Sequence, residues 1–240
     1  SAIKAASITH SKSYTSLEKL ISESNTIWIT TPDDQIKQIA QQIANVPTSN
    51  NNHKLVIHAS GVHNIDILTE AQEAGYHVAV AHPLLAFGNP EDSVRALANT
   101  WFAIEEKMGN SSLRISSILQ ICCNYTFKID KSKKALYHAA ACMLSNYMVT
   151  LANAAQEMFD QAGLPKAYFA RATMPLMKSV MQNLMTKEPK DALTGPIKRG
   201  DAETVKQHIE ILQQVMLKWE GLYKDLGRET MKMINDDKLK

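Results

Sequence analysis

Glycine is scarce in this chain. There are nine in 240 residues, and none forms the G-x-G-x-x-G turn that holds a dinucleotide pyrophosphate at a strand–helix junction. Cysteine is scarcer, with only Cys122, Cys123 and Cys142. An odd count without a C-x-x-C pair suits a reducing cytoplasm better than a disulfide framework. For Cys122 and Cys123, which are adjacent, plain burial is a better reading than metal binding. No apolar run approaches the ~18 residues of a spanning helix, and the polar start has no apolar signal region. The 26 basic and 24 acidic residues are interspersed and leave a net charge of +2. That is no footprint for nucleic acid or for a membrane surface.

What remains is a chain that is 45% apolar, enough for a substantial core. Its first half alternates short β-rich runs with helical stretches. Strands are predicted at Ala5–Thr9, Thr26–Thr30, Leu55–Ala59, His77–Ala81, Thr100–Glu105 and Tyr125–Asp130. Helices are predicted at Ser16–Ser24, Gln35–Asn45 and Ile65–Ala74, with Gly75 as the last one's C-cap. Such alternation implies a parallel sheet. From Lys131 onward the pattern is helical nearly to the end, beginning with one long predicted helix, Lys131–Gln161. A boundary at 130 makes residues 1–130 an α/β domain and 131–240 an all-α domain.

Polar residues gather where strands of the first half end, which is where open α/β sheets bind ligands. His58-Ala59-Ser60-Gly61 closes one strand and His82-Pro83-Leu84 the next. The serine and glycine let a planar ring approach the backbone. His58, inside its strand, reads better as a satisfied buried histidine, and His82 as a site residue or a structural hydrogen-bonding group. Thr31-Pro32-Asp33-Asp34 ends an earlier strand and opens a helix, either as an anion site or as a turn capped by Asp33 or Asp34. Ser11-Lys12-Ser13 follows the first predicted strand and has no acidic residue. That composition suits a 2′-phosphate better than a ribose hydroxyl, although a solvated loop accounts for it too.

In the long helix His138, Cys142 and Asn146 recur at i, i+4 and i+8, one polar stripe among Ala, Met and Leu. A buried stripe of this kind needs partners, either a ligand or another helix. Imidazole is suited to proton transfer near neutral pH. Between later helices, Leu193–Asp201 mixes Gly, Pro, Arg and Asp; Asp201 is placed to cap the next helix.

Taken together, these motifs resemble a bacterial family that joins a Rossmann-like domain to a C-terminal domain of unknown function 2520. The matching stretches are His58–Gly61, His82–Leu84 with Phe87, Tyr137–Ala141 with Asn146, and Ala192–Pro196 with Arg199–Asp201. The family is similar in architecture to 6-phosphogluconate dehydrogenase-like enzymes. The resemblance implies NADP binding, with NAD possible, and a helical dimerisation domain. It also implies that a first strand and its Gly-rich turn precede the residues present here. Related hydroxyacid dehydrogenases carry a lysine four residues before the asparagine of this helix, a position held here by Cys142.

The leading expectation is a cytoplasmic, homodimeric NADP-dependent oxidoreductase acting on a small carbonyl or imine substrate. Ser11, Lys12 and Ser13 lie near the 2′-phosphate. Thr31, Pro32, Asp33, Ser60 and Gly61 flank the cofactor. His138 is the general acid, with Asn146, Ser60 and His82 beside the substrate. The competing expectation is a non-catalytic nucleotide- or metabolite-binding dimer.

Overall fold

A computed structural model describes residues 2–47, 51–106, 111–121, 123 and 125–235. Cys122 lies outside them; Cys123 is buried and Cys142 half-buried, both as free thiols. The chain divides into two compact units, Ser1–Asn146 and Tyr147–Lys240.

The first unit opens with a helix, α1 (Ala2–Thr9), not the expected strand. A stretch of five residues such as Ala5–Thr9 does not separate strand from helix by period alone. Here alanine's helix preference prevails, and none of the α1 residues is buried. His10, at φ 51°, ends it, with Ser11 N–H donating to Ala6 O at 2.9 Å. Helix α2 (Leu17–Glu23) follows, capped as expected by Ser16, whose hydroxyl accepts from Lys19 N–H.

Three strands come next: β1 (Thr26–Ile29), β2 (Leu55–His58) and β3 (His77–Pro83). Helix α3 (Ile36–Ala44) joins β1 to β2, and a 3₁₀ turn (Ile65–Leu68) with α4 (Thr69–Glu73) joins β2 to β3. Beyond β3 lie α5 (Pro90–Leu97), β4 (Trp101–Glu106), α6 (Ser111–Leu119) and β5 (Tyr125–Lys128). The sheet order is β1-β2-β3-β4-β5.

The sheet is mostly, not wholly, parallel. β1, β2 and β3 run together, β4 is antiparallel to β3, and β5 follows β4 in parallel. The excursion through α5 returns to the end it left, and Leu84 N–H donates to Trp101 O at 2.9 Å. Apolar patterning reports which residues are buried but not which way a strand runs, so this reversal was not predicted.

Because side chains alternate across a strand, the register divides the core in two. Ile27, Ile29, Val56, Val78 and Val80 pack under Ile21, Ile36, Ala40, Ile43 and Leu68. On the other face Leu55, Ile57, Ala79, Ala81, Phe102 and Ile104 meet Ile115 and Leu119. Pairing also sets Ile29, His58, Val80 and Glu105 in one row across four strands. Two polar side chains therefore lie in the sheet itself, near the carboxyl ends of β1–β3.

Asp130 caps a short 3₁₀ turn that leads into α7 (Lys134–Leu144). The expected single helix Lys131–Gln161 is broken at Ser145, and α8 (Asn146–Gln161) starts anew. The Ser145 hydroxyl donates to Ala141 O at 2.7 Å and to Asn146 Oδ1 at 2.8 Å. A side chain that competes for backbone in this way bends or ends a helix.

The second unit continues α8 and adds α9 (Lys166–Thr186), α10 (Pro189–Ala192), α11 (Pro196–Arg199), α12 (Ala202–Val215) and α13 (Leu217–Asn235). Asp201 caps α12 as expected, accepting from Thr204 N–H at 3.1 Å. Glu157 on α8 accepts from Trp219 Nε1 at 2.7 Å and pairs with Lys218. Among the described residues no strand lies beyond β5, and no helix is long and apolar enough to cross a membrane.

Candidate functional site

The site forms where β1, β2 and β3 end and α7 passes. His58, the last residue of β2, is fully buried. Its Nδ1 accepts from Ser60 N–H at 3.2 Å, so Nε2 carries the proton and donates to Asn64 O at 3.3 Å. Burial pushes its pKa down to about 4, helped by the positive charge of Lys134. His58 is thus the satisfied structural histidine that the sequence suggested. Ser60 turns the chain: its Oγ accepts from Val62 N–H at 3.2 Å and His63 N–H at 3.1 Å. Its hydroxyl proton remains available, but its lone pairs hold the loop.

Gly61 is needed for closeness. A Cβ at this position would run into His138 Nδ1 and stand 2.8 Å from His82 Nε2. Two imidazoles can therefore lie against bare backbone only because the residue is glycine. His82, on β3, approaches Tyr137 Oη through Nδ1 at 2.7 Å. It stands edge-on to the rings of Tyr137 and His138, with centroids 5.5 and 5.9 Å apart. Burial, then His138 and Lys134, push its pKa down to about 4. Burial raises the Tyr137 phenol to about 12, so both partners of this contact are neutral at physiological pH. His138 Nε2 lies 3.7 Å from Cys142 Sγ, while its Nδ1 is buried without a hydrogen bond among the described residues.

Three residues not foreseen as site residues complete the cluster. Lys134, one turn before His138, is 1% exposed. Its Nζ is 3.8 Å from Glu105 Oε2, and neither atom has a hydrogen-bond partner among the described residues. Burial pushes Lys134 down to about 8 against the pull of Glu105 and Asp33. The other Glu105 oxygen accepts Ile65 N–H at 3.0 Å. The third residue is Tyr137. A signal for Lys134 was present, since it extends the His138–Cys142 stripe by one turn toward the N-terminus. Glu105 gave only a weak one, as a carboxylate closing an apolar strand.

The remaining expected residues lie around this cluster. Thr31 follows β1, with its Oγ1 buried and unpartnered among the described residues. Pro32 and Asp33 open the 3₁₀ turn into α3, where no side-chain cap is made, so neither Asp33 nor Asp34 caps as suggested. The two carboxylates in that first turn already complement the helix dipole. Ser11 bonds Thr9 across 2.8 Å, and Lys12 pairs with Glu23 at 2.9 Å on the surface. Asn146 falls beyond the Ser145 break, bonded to that serine, and the stripe ends at Cys142. No metal-binding group of His, Cys, Asp or Glu exists among the described residues.

The family model described as a domain of unknown function, DUF2520, matches residues 100–230, more than half of the chain. This chain belongs to the DUF2520 family. The matched span carries Glu105, Lys134, Tyr137 and His138, while β1–β3 precede it. Solved structures share the fold. A proposed NADP oxidoreductase of Bacteroides fragilis, BF3122, superposes with a TM-score of 0.78 at 20% identity, covering 97% of this chain and 85% of its own. Protein TM1727 of Thermotoga maritima gives 0.77 at 24%, covering 99% and 87%. A reductive aminase of Aspergillus terreus, solved with NADPH4, cyclohexanone and allyl amine, gives 0.65 at 13%, covering 100% and 88%. No curated protein matches this family member in sequence. Both the family resemblance and the α/β-then-helical fold class expected from sequence are borne out.

Proposed function

We propose that this protein is an NAD(P)-dependent oxidoreductase, preferring NADP and acting on a small carbonyl or imine compound. One observation carries the reading. Buried polar atoms without hydrogen-bond partners among the described residues (Thr31 Oγ1, Glu105 Oε2, Lys134 Nζ and His138 Nδ1) occur on the elements that meet at these strand ends. Buried polar groups are rarely left unpaired. The structural neighbours described as an NADP oxidoreductase and a reductive aminase support the same reading.

A nicotinamide would lie beside the His82 and His138 imidazoles that cover Gly61, with Thr31 offering it a hydroxyl. The acidic turn Asp33-Asp34 suits ribose hydroxyls and disfavours a phosphate. The 2′-phosphate would meet Ser11, Lys12 and Ser13, displacing Lys12 from its exposed and weak pair with Glu23. When bound, the nicotinamide supplies hydride chemistry. The chain's part is to hold protons: His138 beside Gly61 serves as general acid, and His82 with Tyr137 forms a neutral pair next to it. Asn146 would orient the substrate.

We further propose a homodimer through the helical unit. Leu176, Val180 and Leu184 recur every four residues along α9 and are exposed, as are Met177, Met181 and Met185. An apolar face of that length on a soluble protein marks an interface.

Titration calorimetry with NADP and NAD tests the reading. Binding of both, tighter for NADP, is expected. No heat with either at millimolar concentration overturns it, and binding without turnover of any ketone, imine or hydroxy acid favours the non-catalytic alternative.

A further inference from the structure

Three large apolar side chains beside the strand-end cluster have no part in the reaction proposed above. Trp101, Leu84 and Tyr125 are 47%, 46% and 43% exposed. Their place follows from the strand register. His82 pairs with Ala103 and Ala103 with Phe127, so these three form a row on one face of the sheet. Two residues further along each strand comes a second row on the same face. Trp101 pairs with Tyr125, and Leu84 continues the β3–β4 pairing by donating its N–H to Trp101 O at 2.9 Å.

The two rows are covered differently. Tyr137 of α7 roofs the inner row, edge-on to His82 with centroids 5.5 Å apart and to Phe127 at 5.8 Å. Ala103 beneath is fully buried. The outer row has no such roof. Trp101 and Tyr125 stack on each other at 5.0 Å, with 15° between their planes, and Trp101 meets Phe127 at 6.3 Å. Rings therefore run in unbroken contact from the solvent-facing pair through Phe127 and Tyr137 to His82.

We propose that the outer row, Leu84, Trp101 and Tyr125, is a shelf that binds an aromatic ring carried by the substrate. This rests on reading the strand-end cluster as the active site. Diagonal neighbours such as His82 and Trp101 stand roughly 7–8 Å apart, so a ring a few bonds from the reacting carbon reaches the shelf while that carbon lies by His82. None of the three side chains is charged, which suits an apolar group and not a phosphate or carboxylate. Stacked and edge-on ring pairs gain more than their buried area alone provides, and one face of Trp101 is already engaged in this way. A protein occupant fits poorly. Three half-exposed side chains offer roughly 300 Å² at most, against about 800 Å² per partner in a standard protein interface.

The test uses the protein without cofactor, so its outcome is separate from whether NADP binds. The probes are 4-phenyl-2-butanone and 2-butanone, which share the ketone and differ in the ring. The indole N–H of Trp101 is followed by NMR and assigned with Trp101→Phe, the other tryptophans being Trp28 and Trp219. Saturable movement of that signal is expected, with the phenyl ketone binding at least about tenfold more tightly than 2-butanone. Trp101→Leu keeps an apolar side chain and removes the ring; it should weaken phenyl-ketone binding about three- to tenfold. A Trp101 signal that does not move, or equal affinity for the two ketones, overturns the proposal. So does a signal that moves with protein concentration alone, which would make the row a contact between copies. If Trp101→Leu fails to fold, the wild-type comparison of the two ketones still decides. NADP binding with an unmoved Trp101 sinks the shelf alone, whereas phenyl-ketone binding at Trp101 without affinity for NADP or NAD sinks the oxidoreductase reading and keeps the shelf as a ring-binding site.

Discussion

The two units bury their side chains in opposite ways. The sheet unit encloses two apolar clusters, one on each face, with many members fully inaccessible. In the helical unit only Ala154, Thr173 and Leu212 are buried among the described residues, while Met185, Val149, Leu217 and Leu176 are each more than 60% exposed. Helices of similar apolar content thus have a core in one half and almost none in the other. Because hydrophobic stabilisation scales with the area removed from water, the sheet unit carries its own stability. The helical unit needs a further surface, and we propose that a second copy supplies it.

The largest effect expected in the sheet unit is chemical. His138→Ala should lower turnover by ~10²–10⁴-fold with little change in NADP affinity. A lower melting temperature with intact turnover would return His138 to the packing residues. Next comes Leu68→Ala, deep under β1–β3, which should cost about 2–5 kcal/mol in urea unfolding. The same truncation at Met185 should cost under about 0.5 kcal/mol when the protein is dilute. If the two costs are equal, the contrast between the units fails.

Acid should reveal the difference too. His58 has a folded pKa of about 4 against 6.5 when free. Between those values the unfolded chain binds more protons. The stability contributed by neutral His58, about 3 kcal/mol, is therefore complete above pH 6.5 and lost as pH falls toward 4. Near-ultraviolet circular dichroism between pH 7 and 4 should show the sheet unit loosening in that window, and His58→Gln should flatten the dependence. The most concentration-sensitive effect belongs to the helical unit. Val180→Asp should convert a dimer at tens of micromolar into a monomer in sedimentation velocity, leaving NADP affinity in place. A wild-type monomer at that concentration removes the proposed dimer.

Much of the site could be read locally. Ser60-Gly61 and His82 stand at strand ends in the linear sequence, and His138 is marked by its place on a polar stripe. What was not legible depended on approach between distant segments. Nothing around Gly61 announces that two imidazoles press on its Cα. Glu105 and Lys134 are 29 positions apart in the chain, yet their charged atoms lie 3.8 Å from each other. Tyr137 stood in a recognised motif, but its 2.7 Å contact requires His82 from 55 residues earlier.

The sequence by itself determined the alternation of strand and helix, the change to helices after β5, the caps at Ser16 and Asp201, and the family. These are short-range properties, set by periodicity, side-chain capping and turn chemistry within a few residues. Tertiary structure alone decided the reversal of β4, the approach of His82 and His138 to Gly61 and the charge environment of the imidazoles. Each depends on what lies alongside a segment: which end of the sheet a connection returns to, which distant side chains meet, and how much water remains around an ionisable group.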